Sequence, residues 1–177
     1  MTTNRQEVLQ NRLGPEIQEL KAQALTIMLS TVDKNGNPNV SYAPFVINNG
    51  EYQVLISTIA RHARNLLEVP KVSLMIIEDE SKSRQIFARR RLSFDASVRV
   101  LERHSEEWQQ AIDALKARQG NMIDELAKMQ DFKLFAFKPE QGLFVKGFGQ
   151  AFQVSNDDLV NFVHLQEGHL EDKGHQE

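Results

Sequence analysis

Three of the five histidines lie within the last fourteen residues, at His164, His169 and His175. Imidazole is the commonest side-chain ligand of transition metals and the one side chain whose charge ordinarily changes near neutral pH. The spacings of five and six residues do not stack two rings on one helix face, and no HExxH pair occurs. On residue types alone, we therefore interpret these as solvated histidines of a polar tail rather than as a zinc site.

A second group with chemical potential is the segment 82–91, KSRQIFARRR, which carries five positive side chains. The guanidinium fork binds phosphate and carboxylate groups, so the segment is either an anion-binding patch or a solvated loop. Ser57, Thr58, Arg61 and Arg64 lie where a strand is predicted to pass into a helix. Unpaired backbone N–H groups at such a junction also favour anions.

The composition limits the classes of function. The chain has 177 residues, and because it has no cysteine it contains no disulfide, thiolate metal site or cysteine nucleophile. Its net charge of −3 argues against nucleic-acid binding. The longest uncharged apolar run spans about nine residues, 24–32, too few for a membrane helix. The first residues lack the apolar core of a signal peptide. We expect a cytoplasmic protein with no membrane or nucleic-acid partner.

Short apolar runs separated by turn signals dominate the chain. ALTIMLSTV and KVSLMIIED are rich in β-branched residues, and every second residue of FDASVRV is apolar up to its end. DFKLFAFKP and GLFVKGFGQAFQV are predicted as the last two strands. The sequence therefore predicts an α+β protein, mainly β, in which six or seven antiparallel strands form a closed or partly closed barrel with helices inserted.

Local signals refine this picture at three places. Gly14 and Pro15 interrupt a helical stripe and predict a kink or two short helices, the stripe being Leu9, Leu13, Ile17 and Leu20. Gly147 and Gly149 share a strand face without side chains, which indicates a barrel bend or, alternatively, room for a flat ligand. Ser155, followed by acidic residues, predicts one last short helix.

The order of helix, hairpins, STIARHARN and the basic strand RRRLSFDASV resembles the FMN-binding split-barrel superfamily typified by pyridoxamine 5′-phosphate oxidase. The tail GHLEDKGH is similar to that of its haem-degrading branch, because a minimal flavin barrel has no need of such a tail. The resemblance implies an antiparallel split β-barrel with peripheral helices. We expect residues 1–155 to form the barrel with its N-terminal helix, and 156–177 to add a short helix and a haem-binding tail to the same domain.

The resemblance also implies a function and a site. The protein would be a homodimer that binds haem at its subunit interface, opens the porphyrin with O2 and a reductant, and releases iron. His169 corresponds to the axial iron ligand, Asp131 of the partner subunit to the residue that hydrogen-bonds it, and Arg91 to an arginine near the distal face. Arg61 is a further cofactor-binding candidate. A haem-delivery protein and an external electron donor are the expected partners.

Two alternatives stay open. Ser57, Thr58 and Arg61 stand where the flavin branch holds the FMN phosphate, so an FMN-dependent oxidoreductase is not excluded. A haem storage or delivery protein without oxygenase chemistry would need the same ligand. Within the tail, His175 follows a glycine just as His169 does, and only the family position favours His169.

Overall fold

Nine strands and four helices make up the part of the chain that the computed structural model describes, residues 2–158 and 160–161. Two 3₁₀ turns, Glu80–Lys82 and Ile86–Ala88, interrupt the basic segment. In chain order the elements are α1 (Thr2–Gln23), β1 (Thr26–Val32), β2 (Pro38–Pro44), β3 (Val46–Asn48), β4 (Glu51–Ser57), α2 (Arg61–Glu68), β5 (Lys71–Ile77), β6 (Arg91–Val100), α3 (Glu106–Gln119), α4 (Met122–Lys128), β7 (Phe132–Gly147), β8 (Gln150–Val154) and β9 (Val160–Asn161).

The strands form one antiparallel sheet in the order β2-β1-β5-β6-β7-β4-β3, with β8 paired to β7 and β9 to β8. The 16-residue β7 is central, because β6 pairs along one of its edges while β4 and β8 pair with its beginning and its end. β3 and β9 have only three and two residues, so the longer strands match the expected six or seven. The predicted mainly β, antiparallel split barrel is confirmed.

Two apolar clusters stabilise the sheet from opposite faces. The larger fills the barrel and includes the apolar face of α1. The smaller lies where α3 and α4 cover β3, β4 and β7, and it includes Trp108, Ile112 and Leu115. Because β4 is covered on both faces, its five central residues are all buried. Close packing on both faces makes the carboxyl end of β4 rigid.

Helix α1 is a single helix that runs through Pro15, so of the two expected outcomes, a kink or two short helices, the division into two helices was wrong. Proline removes one backbone hydrogen bond, but the apolar stripe on either side of it is continuous. All four members of the stripe are at most 6% exposed, and their shared burial in the barrel holds the helix together: Leu9, Leu13, Ile17 and Leu20.

The prediction that Gly147 and Gly149 share one strand face was also wrong. Residues 148–149 form the turn of the β7–β8 hairpin, and Gly149 has φ +63°, a conformation that L side chains rarely adopt. Gly147 and Gly149 therefore do not share a strand face, and the pairing of β7 with β8 is irregular between Val145 and Gly147. The boundary between the two last strands also differs from the one predicted from the sequence. β7 continues past Pro139, and Pro139 lies opposite Ala96 at an irregularity in the β6–β7 register.

The helix predicted from Ser155 is absent from the described residues. Residues 156–157 form a turn, Asp158 has φ +59°, and β9 follows. Helix α1 holds this stretch, since Gln18 and Lys21 both bind Asp158 Oδ2 and Gln10 accepts a hydrogen bond from the Val160 N–H at 2.7 Å. These contacts with α1, which join distant parts of the sequence, override the local helix signal. The rest of the expected tail, 162–177, lies outside the described residues.

Gly142 on β7 is required by close packing, which gives a first prediction. A Cβ atom there would lie 2.4 Å from Phe94 Cδ1 and 2.6 Å from the Ser93 carbonyl oxygen. Phe94 is 2% exposed and has no room to move away. We expect Gly142→Ala to lower the free energy of unfolding by about 1–3 kcal/mol, measured by urea denaturation.

Gly147 on the same strand provides the matched control. The nearest atom to a Cβ at Gly147 is 3.7 Å away, in the flexible Gln150 side chain, an ordinary van der Waals contact. Gly147→Ala should therefore change the free energy of unfolding by less than about 0.5 kcal/mol. Equal losses in the two variants would show that packing against Phe94 is not the cause.

Candidate functional site

Asp131 lies in the short connection between α4 and β7 and is held by the end of β4. Ser57 Oγ donates a hydrogen bond to Asp131 Oδ2 at 2.5 Å, and the Thr58 N–H donates to the Asp131 carbonyl oxygen at 2.8 Å. Ser57 also lies opposite Phe132 in the β4–β7 pairing, so the sheet itself fixes this register. Both the backbone and the carboxylate of Asp131 are thus positioned.

Arg61 begins α2, three residues after Thr58. Its side chain is 51% exposed and lies 4.0 Å from Asp33 Oδ2, a separation at which an exposed ion pair contributes little. Hydrogen bonds from the Asn37 side chain and backbone hold the pKa of Asp33 below its usual value, so this carboxylate is charged at neutral pH. Ala60 precedes the helix and provides no side-chain cap, which leaves the helix N-terminus open to an anion.

His62 follows Arg61 and is half-buried. Its Nδ1 lies 2.8 Å from Ser41 Oγ on β2. Burial lowers the pKa of His62, so the imidazole is neutral at pH 7. The only signal in the sequence for this histidine is its place in STIARHARN, and it was not among the predicted site residues.

Arg91 is the first residue of β6, at the end of the basic segment 82–91. Arg89 donates to the Glu78 carbonyl oxygen at 3.0 Å, and Arg90 Nε contacts Glu78 Oε1 at 2.9 Å. Arg91, in contrast, has no ion pair with any described residue, and its Nη1 reaches only the Arg89 carbonyl oxygen, at 3.5 Å. Arg89 and Arg90 therefore stabilise the fold, whereas most of the N–H donors of Arg91 are available to a ligand.

One copy of the chain does not bring Arg91 and Asp131 together. Asp131 immediately precedes β7, whereas Arg91 pairs with Val145 near the other end of that strand. At about 3.3 Å per residue, β7 separates the two by tens of ångströms. A site that contains both residues needs two copies of the chain. His169 lies outside the described residues.

Sequence reasoning missed the link between Ser57 and Asp131. The two residues are 74 positions apart, and Ser57 had drawn notice only as a phosphate-binding candidate. In the described residues, no group of three or more His, Asp or Glu side chains could hold a metal ion. None of the helices described is both long enough and apolar enough to span a membrane.

Comparison with known proteins decides the family. The sequence profile of pyridoxamine 5′-phosphate oxidase matches residues 13–146. The chain belongs to the pyridoxamine 5′-phosphate oxidase family. Within this family it is 61% identical over 165 residues to the haem oxygenase HutZ of Vibrio cholerae serotype O1, covering 93% of this chain and 94% of HutZ. The resemblance to the haem-degrading branch of the family is thus confirmed.

Solved structures of family members agree with this placement. A crystal structure of Vibrio cholerae HutZ, there described as a haem storage protein, is 58% identical and covers 77% of this chain and 96% of its own, with a TM-score of 0.73. ChuZ from Campylobacter jejuni is 30% identical, covers 93% of this chain and 68% of its own, and has a TM-score of 0.83.

Proposed function

We propose that this protein is a haem-degrading oxygenase that binds haem at a homodimer interface and opens the porphyrin with O2 and a reductant, releasing iron. The observation that carries the proposal is the 61% identity, over 93% of the chain, to a protein named haem oxygenase HutZ. Haem would be both substrate and cofactor, because its iron would supply the chemistry that activates O2. A cytoplasmic location, a haem-delivery protein and an external electron donor belong to the proposal.

In this proposal His169 is the axial ligand of the iron, and Asp131 of the partner subunit accepts a hydrogen bond from the other ring nitrogen. Such a carboxylate fixes the tautomer of an iron-bound imidazole and raises its basicity. The geometry around Asp131 supports this role. Ser57 binds Oδ2, and no other described residue donates to the carboxylate, so Oδ1 can accept from an imidazole.

Arg91 is the proposed cation beside the haem, where it would orient a propionate or a polar group near the iron. Its single long hydrogen bond to a carbonyl oxygen supports this role, because a guanidinium carries five donors. Arg61 is a second candidate for a propionate, since its side chain is half-exposed and its contact with Asp33 is loose. Both side chains fit the carboxylates of haem chemically.

The proposed dimer is supported by the outer face of β1 and β2. β1 alternates between buried and exposed residues and β2 mainly between half-buried and exposed ones, and the exposed side chains include Val40 at 72%, Tyr42 at 66% and Met28 at 38%. An apolar sheet face of this kind is typical of an interface. In the proposed dimer, a second copy of the chain covers this face.

An FMN-dependent oxidoreductase is the first alternative, and the uncapped N-terminus of α2 favours it, since a phosphate would fit there. One contact weighs against it for two reasons. The Ser57 hydroxyl already donates to Asp131, and that carboxylate places a negative charge beside the position expected for the phosphate. We therefore favour haem over FMN.

The second alternative is a haem storage protein, which is how the solved Vibrio cholerae HutZ is described. Storage and degradation require the same iron ligand, so binding alone does not distinguish them. What differs is the response of the bound haem to electrons and O2.

Titration with hemin followed by a reductant in air tests the proposal. We expect a Soret band on titration, its decay after the reductant is added, and release of iron to a chelator in step with that decay. The control is the same experiment without O2, in which the band should persist. A Soret band that survives reductant and air indicates storage, and a yellow purified protein that releases FMN on denaturation indicates the flavin enzyme.

A further inference from the structure

The guanidinium of Arg103 binds three backbone carbonyl oxygens around Asp131. Arg103 Nη1 donates to the Ala127 carbonyl at 2.5 Å, and Nη2 donates to the carbonyls of Met129 and Phe132, both at 2.7 Å. These oxygens belong to the last turn of α4, to the connection that follows it and to the first residue of β7. One side chain thus ties together the two elements between which Asp131 lies.

The connection is held on its other side by β4. There the Thr58 N–H donates to the Asp131 carbonyl oxygen at 2.8 Å, and Ser57 donates to its carboxylate. Residues 129–132 are therefore fixed between a cation on one side and the end of a covered strand on the other. Loss of either support would let the Asp131 carboxylate turn.

We propose that Arg103 is a positioning residue for the Asp131 carboxylate, acting through the backbone on both sides of it. The proposal rests on the function proposed above, in which the Asp131 carboxylate must point at the histidine that binds the haem iron. Arg103 contacts neither haem nor the reacting atoms in this scheme. Its effect is to keep the carboxylate aimed at the histidine of the partner subunit.

Arginine is specifically suited to this position. Its planar fork reaches three oxygens from one point, and Cζ lies 5.7 Å from the centre of the Trp108 ring, a cation–π contact that fixes the plane of the fork. A lysine would keep the charge but lose the planar contact and most of the simultaneous hydrogen bonds. The substitution Arg103→Lys therefore isolates geometry from charge.

The chain contains a matched control. Arg118 also donates to three carbonyl oxygens at the end of a helix, those of Lys21, Ala22 and Ala24, and its guanidinium lies over the Phe45 ring, with Cζ 5.1 Å from the ring centre. The chemistry is the same, but the helix is α1 instead of α4. Arg118→Lys should therefore cost a similar amount of stability without any local effect on Asp131.

The experiment compares Arg103→Lys with Arg118→Lys in the full-length protein. The first measurement is amide hydrogen exchange at Thr58 without haem, because this N–H donates to Asp131. We expect exchange at Thr58 to be about tenfold faster in Arg103→Lys than in Arg118→Lys. The second is the haem-decay rate per bound haem, expected to fall about tenfold in Arg103→Lys only, with a shifted Soret band.

The two measurements separate the possible failures. Equal Thr58 exchange in the two variants overturns the positioning role, and altered exchange with an unchanged decay rate and Soret band shows that the orientation of Asp131 does not matter to the haem. If the wild-type protein binds haem without degrading it, the proposed function fails, while Thr58 exchange and the Soret position still decide the role of Arg103. Arg103→Gln, checked by circular dichroism, replaces Arg103→Lys should the latter not fold.

Discussion

Replacing His169 with alanine is expected to reduce the affinity for hemin by at least about 100-fold, because even outer-shell partners of a metal ligand are worth about 10–100-fold. The Soret band should weaken and shift at a hemin concentration that saturates the wild type. The measurement is an absorbance titration, with circular dichroism to confirm that the variant is folded. His169→Ala should fold normally if its role is confined to the haem.

His175→Ala is the control for this prediction. His175 follows Gly174 as His169 follows Gly168, so the two sites are alike in sequence and differ only in family position. We expect His175→Ala to retain the wild-type Soret band. An unchanged spectrum in His169→Ala, or a loss in His175→Ala, would contradict the assignment of the axial ligand and leave the oxygenase proposal to be judged on its own test.

Much of the fold follows from local pattern. β6 (Arg91–Val100) contains the alternating segment FDASVRV, and Ser105, which two glutamates follow, is the N-cap of α3, its side chain accepting from the Trp108 N–H. These features depend on residues within a few positions of each other, which a single sequence displays directly. The errors at Pro15 and at 155–158 arise where burial or contacts with α1 override such local signals.

The candidate site could be predicted only in part. Asp131 and Arg91 came from the family resemblance, and Arg61 from its place where a strand passes into a helix. Nothing local links Asp131 to Ser57, because the two are 74 positions apart and meet only through the register of β4 and β7. Arg103 carries no sequence signal at all, since it binds backbone oxygens, which every residue has. A site shared by two chains is also invisible in the pattern of one chain.

Asp131→Asn is expected to slow haem degradation by about 10–100-fold while haem still binds. Asparagine keeps the size of the side chain and an oxygen for the Ser57 hydroxyl, but it removes the negative charge that stabilises a histidine bound to iron. The measurement is the rate of Soret decay per bound haem. Asp113→Asn is the control, because Asp113 is exposed on α3 and accepts a hydrogen bond from Gln109 at 2.9 Å, away from this site.

The same variant tests whether Asp131 acts on the partner subunit. A heterodimer of an Asp131→Asn chain and a His169→Ala chain, isolated with two affinity tags, contains one site with both native residues and one with neither. If the aspartate and the histidine of each site come from different chains, this heterodimer should recover about half of the wild-type activity, since a two-fold symmetric dimer has two sites. If both come from the same chain, each site has one defect, and the heterodimer should be no more active than the two variant homodimers. We expect the recovery, because in the proposed function Asp131 of one subunit pairs with His169 of the other.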